Sequence, residues 1–227
     1  AERVAGDVTE VPTFPVVGPA GIDPDAATMY PGWTFGEAAD AEWLCEHYGL
    51  GDVVAEFGAG ALGAGDGSDA ADFDEQRHAA SVDGGVDESQ AMQARVVGTV
   101  AETLRRRGTD VLAAYALRDA GDAGMGVLGR DGAQKTAADR LRTAYEPTQI
   151  FLADPTPGDS DVVLVNDRST GGSATVEWDV DGDREQTEVE VDSHSRQTVA
   201  TVTLSEGADV TLAVAVDGAV AQNDYEI

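Results

Sequence analysis

The chain has 227 residues, and 42% of them are hydrophobic, enough for one large core or two modest ones. Against 14 basic residues stand 43 acidic ones, a formal net charge of -29, with Lys135 the single lysine. So acidic a surface repels nucleic-acid phosphates and anionic membranes, so no nucleic-acid and no membrane partner is expected.

The acids are spread among periodic apolar residues rather than gathered in blocks. They read as the surface of a folded protein adapted to multimolar salt, where screening over a few ångströms removes self-repulsion. That points to a habitat, the cytoplasm of a salt-accumulating cell or a hypersaline exterior, and not to a function. Cys45 is the single cysteine, which excludes an intrachain disulfide and a cysteine-based zinc site. No run approaches the ~18 apolar residues of a membrane span, and no secretory signal pattern opens the chain. Its first residue is Ala1 rather than methionine, which reads as a processed chain or a piece of something longer.

Up to about Pro147, short apolar runs alternate with helical stretches. Phe14–Ala20 reads as a strand running into a glycine-proline loop. Gly36–Gly49 reads as a helix, with Ala41, Leu44, Cys45 and Tyr48 at helical spacing and Gly49 as its stop. A short buried strand follows at Asp52–Phe57. It ends on an acid, Glu56, beside a glycine- and aspartate-rich segment, Gly58–Asp87, that is too long for a mere connector. The next helix is expected to start at an Asp87 N-cap, with Gln90 completing a capping box. Met92, Val96, Val100 and Leu104 form its buried stripe, and Arg105–Arg107 lie where cations suit the helix dipole. Asp110–Asp119 reads as another buried strand, and Lys135–Pro147 as a helix stopped by proline. This order implies parallel strands with right-handed crossovers.

From Thr148 the pattern changes to short alternating runs at spacings typical of a β-sandwich. In Ala174–Val180, for instance, Val176, Trp178 and Val180 fall on one face and Glu177 and Asp179 on the other. The expected fold is therefore α/β over residues 1–147 and all-β over 148–227.

Two motifs have plainer explanations. Gly124–Gly129 matches a dinucleotide-type G-x-G-x-x-G pattern, but Arg118–Ala123 separate it from the strand and Gly129 runs into more turn residues. Asp179–Glu190 has carboxylates at calcium-loop spacing, yet Arg184 stands where that loop needs glycine, and a hairpin turning at Asp181–Gly182 accounts for the same residues. His47, His78 and His194 show no ligand spacing. Glu56 remains: an exposed strand-end acid on one reading, or a carboxylate held at the mouth of a barrel on the other.

The segment around Glu56, "VVAEFGAGAL", resembles the surroundings of the catalytic nucleophile in glycoside hydrolase family 2, especially its β-mannosidase-like members. The likeness continues in order. "DESQAMQARVV" is similar to the helix after the nucleophile strand, and "VLAAYALRDAGDAGMGVLGRDGAQKTAADRLRTAYEP" to the last barrel strand, its loop and the closing helix. The terminal β region, ending "NDYEI", resembles the family's final immunoglobulin-like domain. "MYPGW" lies where the family has an aromatic-rich loop near the sugar.

The resemblance implies that residues 1–147 are the C-terminal part of a (β/α)8 TIM barrel and 148–227 an immunoglobulin-like β-sandwich. It implies a retaining β-glycosidase hydrolysing O-glycosidic bonds, with Glu56 as nucleophile, Tyr30 and Trp33 stacking on a carbohydrate substrate, and no cofactor or metal. The family's acid/base is a glutamate directly after asparagine. Here Asn166 and Asn223 are both followed by aspartate, so that group is expected outside this chain, together with the remaining barrel segment or a partner chain. The alternative is a structural or carbohydrate-contacting module without hydrolase activity.

Overall fold

A computed structural model of the chain describes residues 16–19, 25–34, 36–48, 50, 52–64 and 73–227. It divides into two compact units, Ala1–Arg140 and Leu141–Ile227. Parts of the predicted first strand (Phe14, Pro15, Ala20), the Gly49 helix stop and residues 65–72 of the glycine-rich segment lie outside the described residues.

The first unit is built on a four-stranded parallel sheet whose strands follow in chain order: β1 (Val17–Pro19), β2 (Ala26–Met29), β3 (Val53–Phe57) and β5 (Val111–Ala114). Helix α1 (Asp40–His47) links β2 to β3. A two-residue strand β4 (Ala61–Leu62), helix α2 (Glu75–Ser81) and helix α3 (Val86–Arg107) link β3 to β5. Strand β6 (Ala123–Gly124) pairs with β4, and helix α4 (Thr136–Ala144) closes the series. Strand β2 escapes notice in the sequence because four residues, two of them alanine, give too short an apolar run.

The stripe Met92, Val96, Val100 and Leu104 on α3 is buried as its spacing requires. The start of α3 differs from expectation. Gly85 is the capping residue, and Glu88 rather than Gln90 reaches back, its Oε2 accepting from Gly85 N at 2.8 Å. Gln90 is engaged elsewhere, donating to Leu62 O at 3.2 Å. The arginines at the helix end join α3 to α1, with Arg107 paired to Glu42 and, at 3.7 Å, to Glu46. Strand β5 is shorter and more exposed than the buried Asp110–Asp119 strand expected. Among the described residues only β3 pairs with it, and Val111 is 52% exposed on that edge.

Past the last turn of α4, the second unit is all-β and antiparallel. One sheet has the order β11 (Ser195–Leu204), β8 (Gly158–Asn166), β7 (Thr148–Leu152). The other runs β10 (Asp183–Val191), β9 (Gly172–Val180), β12 (Asp209–Val216), β13 (Ala219–Glu226). Their apolar residues form one core, including Ile150, Leu164, Val176 and Leu212, with Trp178 and Val180 packed against it. Asp181 and Gly182 take positive φ between β9 and β10, and Asp179 Oδ1 accepts from Gly182 N at 2.8 Å. The carboxylates there serve a hairpin turn.

Asn166 and Asn223, the two asparagines followed by aspartate, are structural. Asn166 accepts from Thr148 Oγ1 and Arg168 N and donates to Thr170 O and Asp192 O, at 2.8–3.2 Å. Asn223 is buried and donates to Tyr225 Oη at 2.6 Å.

Candidate active site at the strand ends

Because β2, β3 and β5 are parallel, their C-terminal ends lie along one edge of the sheet. The residues there are Tyr30 after β2, Glu56 one residue before the end of β3, and Tyr115 after β5.

Strand β3 reaches this edge irregularly. Its ladder with β2 runs Ala27↔Val54, then Thr28↔Glu56 and Met29↔Phe57; its ladder with β5 runs Leu112↔Val54, then Ala114↔Phe57. On both sides β3 carries one residue more than its neighbour, a bulge at Ala55–Glu56. Paired residues share a face of the sheet, so Val54 and Phe57 lie with Ala27 and Met29, all four buried, while Glu56 lies with Thr28. Strict alternation would have put Glu56 on the face of Val54. The bulge re-aims the carboxylate and leaves it half-buried.

Tyr30 Oη donates a hydrogen bond to Glu56 Oε1. The Tyr30 phenol is pushed well above its usual range, first by burial, then by its bond to the Glu56 carboxylate and the negative charge there, and last by Tyr115. It therefore stays a donor at any ordinary pH. Tyr30 thus holds one of the two Glu56 oxygens.

Trp33 sits in the turn after Tyr30, where Thr34 N and Trp33 N both donate to Tyr30 O at 2.8 and 3.2 Å. Arg77 on α2 donates through Nη1 to Trp33 O at 2.8 Å and to Thr34 O. The indole is 7% exposed and lies against Gly60 and Phe73, the rings' centroids 6.1 Å apart. A Cβ at Gly60 would come within 2.9 Å of it. Of the three sequence-predicted residues, Tyr30 bonds Glu56 itself, while Trp33 lies on the turn that follows with its indole turned to Gly60 and Phe73.

The segment after Glu56 is clamped. A Cβ at Gly58 would stand 2.2 Å from Tyr115 O, so only glycine lets the two backbones approach. From α3, Ser89 Oγ accepts from Leu62 N at 2.8 Å and also contacts His78 Nε2 at 2.8 Å, and Gln93 Nε2 donates to Ala59 O at 2.8 Å. Sequence patterns do not single out Tyr115, Ser89 or Gln93. Tyr115 falls inside the predicted Asp110–Asp119 strand, and only the earlier end of β5, at Ala114, brings it to the sheet edge.

The glycines of Gly124–Gly129 have a different partner from a dinucleotide. A Cβ at Gly126 would lie 2.3 Å from Asp119 N, and one at Gly124 would lie 2.7 Å from Asp119 Oδ1. Asp119 Oδ1 accepts from Gly126 N at 2.7 Å, and Oδ2 meets Lys135 Nζ at 2.5 Å, both side chains fully enclosed. The motif makes room for a buried ion pair. Among the described residues no group of His, Cys, Asp and Glu is placed to hold a metal ion.

By sequence, the chain matches no protein-family model and no curated protein. By structure it is similar to a β-D-mannosidase from Dictyoglomus thermophilum, with a TM-score of 0.73 and 14% identity, over 91% of this chain and 31% of that one. It is also similar to an exo-chitosanase from Amycolatopsis orientalis, with a TM-score of 0.50 and 18% identity, over 62% of this chain and 19% of that one. The chain therefore spans about a third or less of these neighbours' length. The neighbours belong to glycoside hydrolase family 2, the family that the sequence resembles, and the likeness to them is one of fold.

Proposed function

We propose that the chain is the C-terminal portion of a salt-adapted, β-mannosidase-like retaining β-glycosidase, with Glu56 as its nucleophile. Residues 1–147 would be the end of a (β/α)8 barrel and 148–227 an immunoglobulin-like sandwich. The observation that carries the reading is a carboxylate at the C-terminal edge of sequential parallel strands, re-aimed by a bulge and held by a phenol that keeps its proton. Four strands cannot close such a barrel, so the other strands come from a further segment or a partner chain.

In this reading Glu56 attacks the anomeric carbon of a carbohydrate and becomes a glycosyl ester. A second carboxyl roughly 5 Å away, outside this chain, protonates the leaving oxygen and then activates water. Tyr30 contributes to the second stage. Its hydrogen bond weakens as Glu56 loses charge in the ester and is regained when the carboxylate leaves, which favours the second displacement. Tyr115 is exposed at the same edge, whereas Trp33 is largely covered, so Tyr115 joins Tyr30 and Trp33 as a sugar-contacting aromatic. No cofactor is needed.

The salt adaptation fits the way outer carboxylates are held in the second unit. Some meet neutral donors, with Thr201 Oγ1 on Asp161 at 2.8 Å and Thr203 Oγ1 on Asp159 at 2.7 Å, beside the arginine pairs at Asp167 and Asp179.

The test is a mechanism-based fluorosugar applied in molar salt to an assembly that completes the barrel. Labelling of Glu56, with turnover lost at least about a thousandfold in Glu56→Gln, is expected. Labelling of another residue refutes the assignment. No turnover in that assembly favours the non-catalytic alternative.

A further inference from the structure

Gln93 is fully buried in the first half of α3, one turn after the buried Ser89 and one turn before Val96 and Val97. A buried amide is retained where its hydrogen bonds are specific. Its Nε2 donates twice, to Ala59 O at 2.8 Å and to Gly126 O at 3.2 Å. Ala59 lies three residues after Glu56. Gly126 belongs to the segment after β5, whose backbone is tied to the end of β5 by Ala116 N donating to Met125 O and Val127 N donating to Ala116 O, at 2.8 and 2.9 Å. The same strand end presses on Gly58 through Tyr115 O. One amide thus joins, from below, the two chain segments that leave the site edge, and both of its protons are used in doing so.

We propose that Gln93 is a positioning residue for Glu56: by fixing Ala59 against Gly126 it holds the turn that sets the carboxylate within reach of Tyr30. The proposal rests on reading Glu56 as the reacting carboxylate. Ser89 and Gln90 grip the same segment farther along, at Leu62. Only Gln93 reaches both segments among the α3 side chains that bond this turn.

The chain itself provides the readout. Of its five tyrosines, Tyr30 is hydrogen-bonded to Glu56, so its ring Cζ resonance should step when Glu56→Gln removes the carboxylate charge. Tyr30→Phe assigns the signal. In Gln93→Met, which keeps the side chain's length and removes the donor, the step should shrink to less than about half. Val96→Ala removes buried apolar volume from the same helix and should lower stability while leaving the step intact. A folded Gln93→Met protein with the full step overturns the proposal. If that variant does not fold, the coupling is read from the other end, since it is reciprocal. Tyr30→Phe should then shift the Gln93 side-chain amide resonances, and unmoved resonances overturn the proposal. Fluorosugar labelling elsewhere would refute the glycosidase reading but leave these signals in place, so the two failures are distinguishable.

Discussion

Replacing Tyr30 by phenylalanine removes one oxygen, and the structure specifies how the loss should depend on pH. At neutral pH the variant forfeits a hydrogen bond to a carboxylate. Such bonds contribute about 1.5–3 kcal/mol, and at this half-exposed site screening favours the lower end, about 1.5 kcal/mol. The Tyr30 phenol is raised above its ordinary value of 10.0, chiefly by burial and then by Glu56. Above that pH the unfolded chain releases the Tyr30 proton while the folded chain keeps it. Stability tied to this group is therefore complete below pH 10 and declines above it, by at most about 1.4 kcal/mol per pH unit for one proton. The phenylalanine variant has no such loss. The gap of about 1.5 kcal/mol should close roughly one unit above the ordinary phenol value, near pH 11. The assay is chemical denaturation in molar salt between pH 7 and 11, with the difference between the proteins removing every other titrating group. A gap that stays constant over that range would mean that the folded chain does not hold the Tyr30 proton, and the proposed donor to Glu56 would fail with it.

Lys135→Met leaves the enclosed Asp119 charge without its partner and should cost about 3–5 kcal/mol of first-unit stability, read by urea denaturation. Asn166→Ala strands four hydrogen-bonding groups in the second unit and should cost roughly 3 kcal/mol, measured on residues 141–227 by hydrogen exchange in the full chain. Burial lowers the His78 pKa, so the folded state binds fewer protons than the unfolded one; stability is lost as pH falls below about 6.5. His78→Asn should flatten that decline in a pH series of thermal melts.

Residues that repeat with a helical or two-residue period are legible in the amino-acid sequence alone. The stripe Met92–Leu104, strand β3 and most strands of the second unit follow from local spacing, because each buries a face that its own sequence defines. Glu56 is legible for the same reason, as an acid ending an apolar run. What escapes is set by distant parts of the chain. The Tyr30–Glu56 bond spans 26 residues, and no local pattern marks it. Helix α2 lies inside a segment whose glycine and aspartate content reads as loop. Gln93 carries no local signal, since only the arrival of Ala59 and Gly126 gives its amide a purpose. The two motifs with plainer explanations show the converse, local patterns matched without the surroundings that would give them chemistry.

The extra residue in β3 also separates two things that a strand end can specify, the face of a side chain and its local direction. Deleting Ala55 would let Val54 through Phe57 run in step with both neighbouring strands, and the more regular ladder should be the sturdier one. Glu56 would still pair with Thr28 and so keep its face, while the local kink would be gone. A sturdier strand that no longer brought the acid to the tyrosine would assign that meeting to the kink alone.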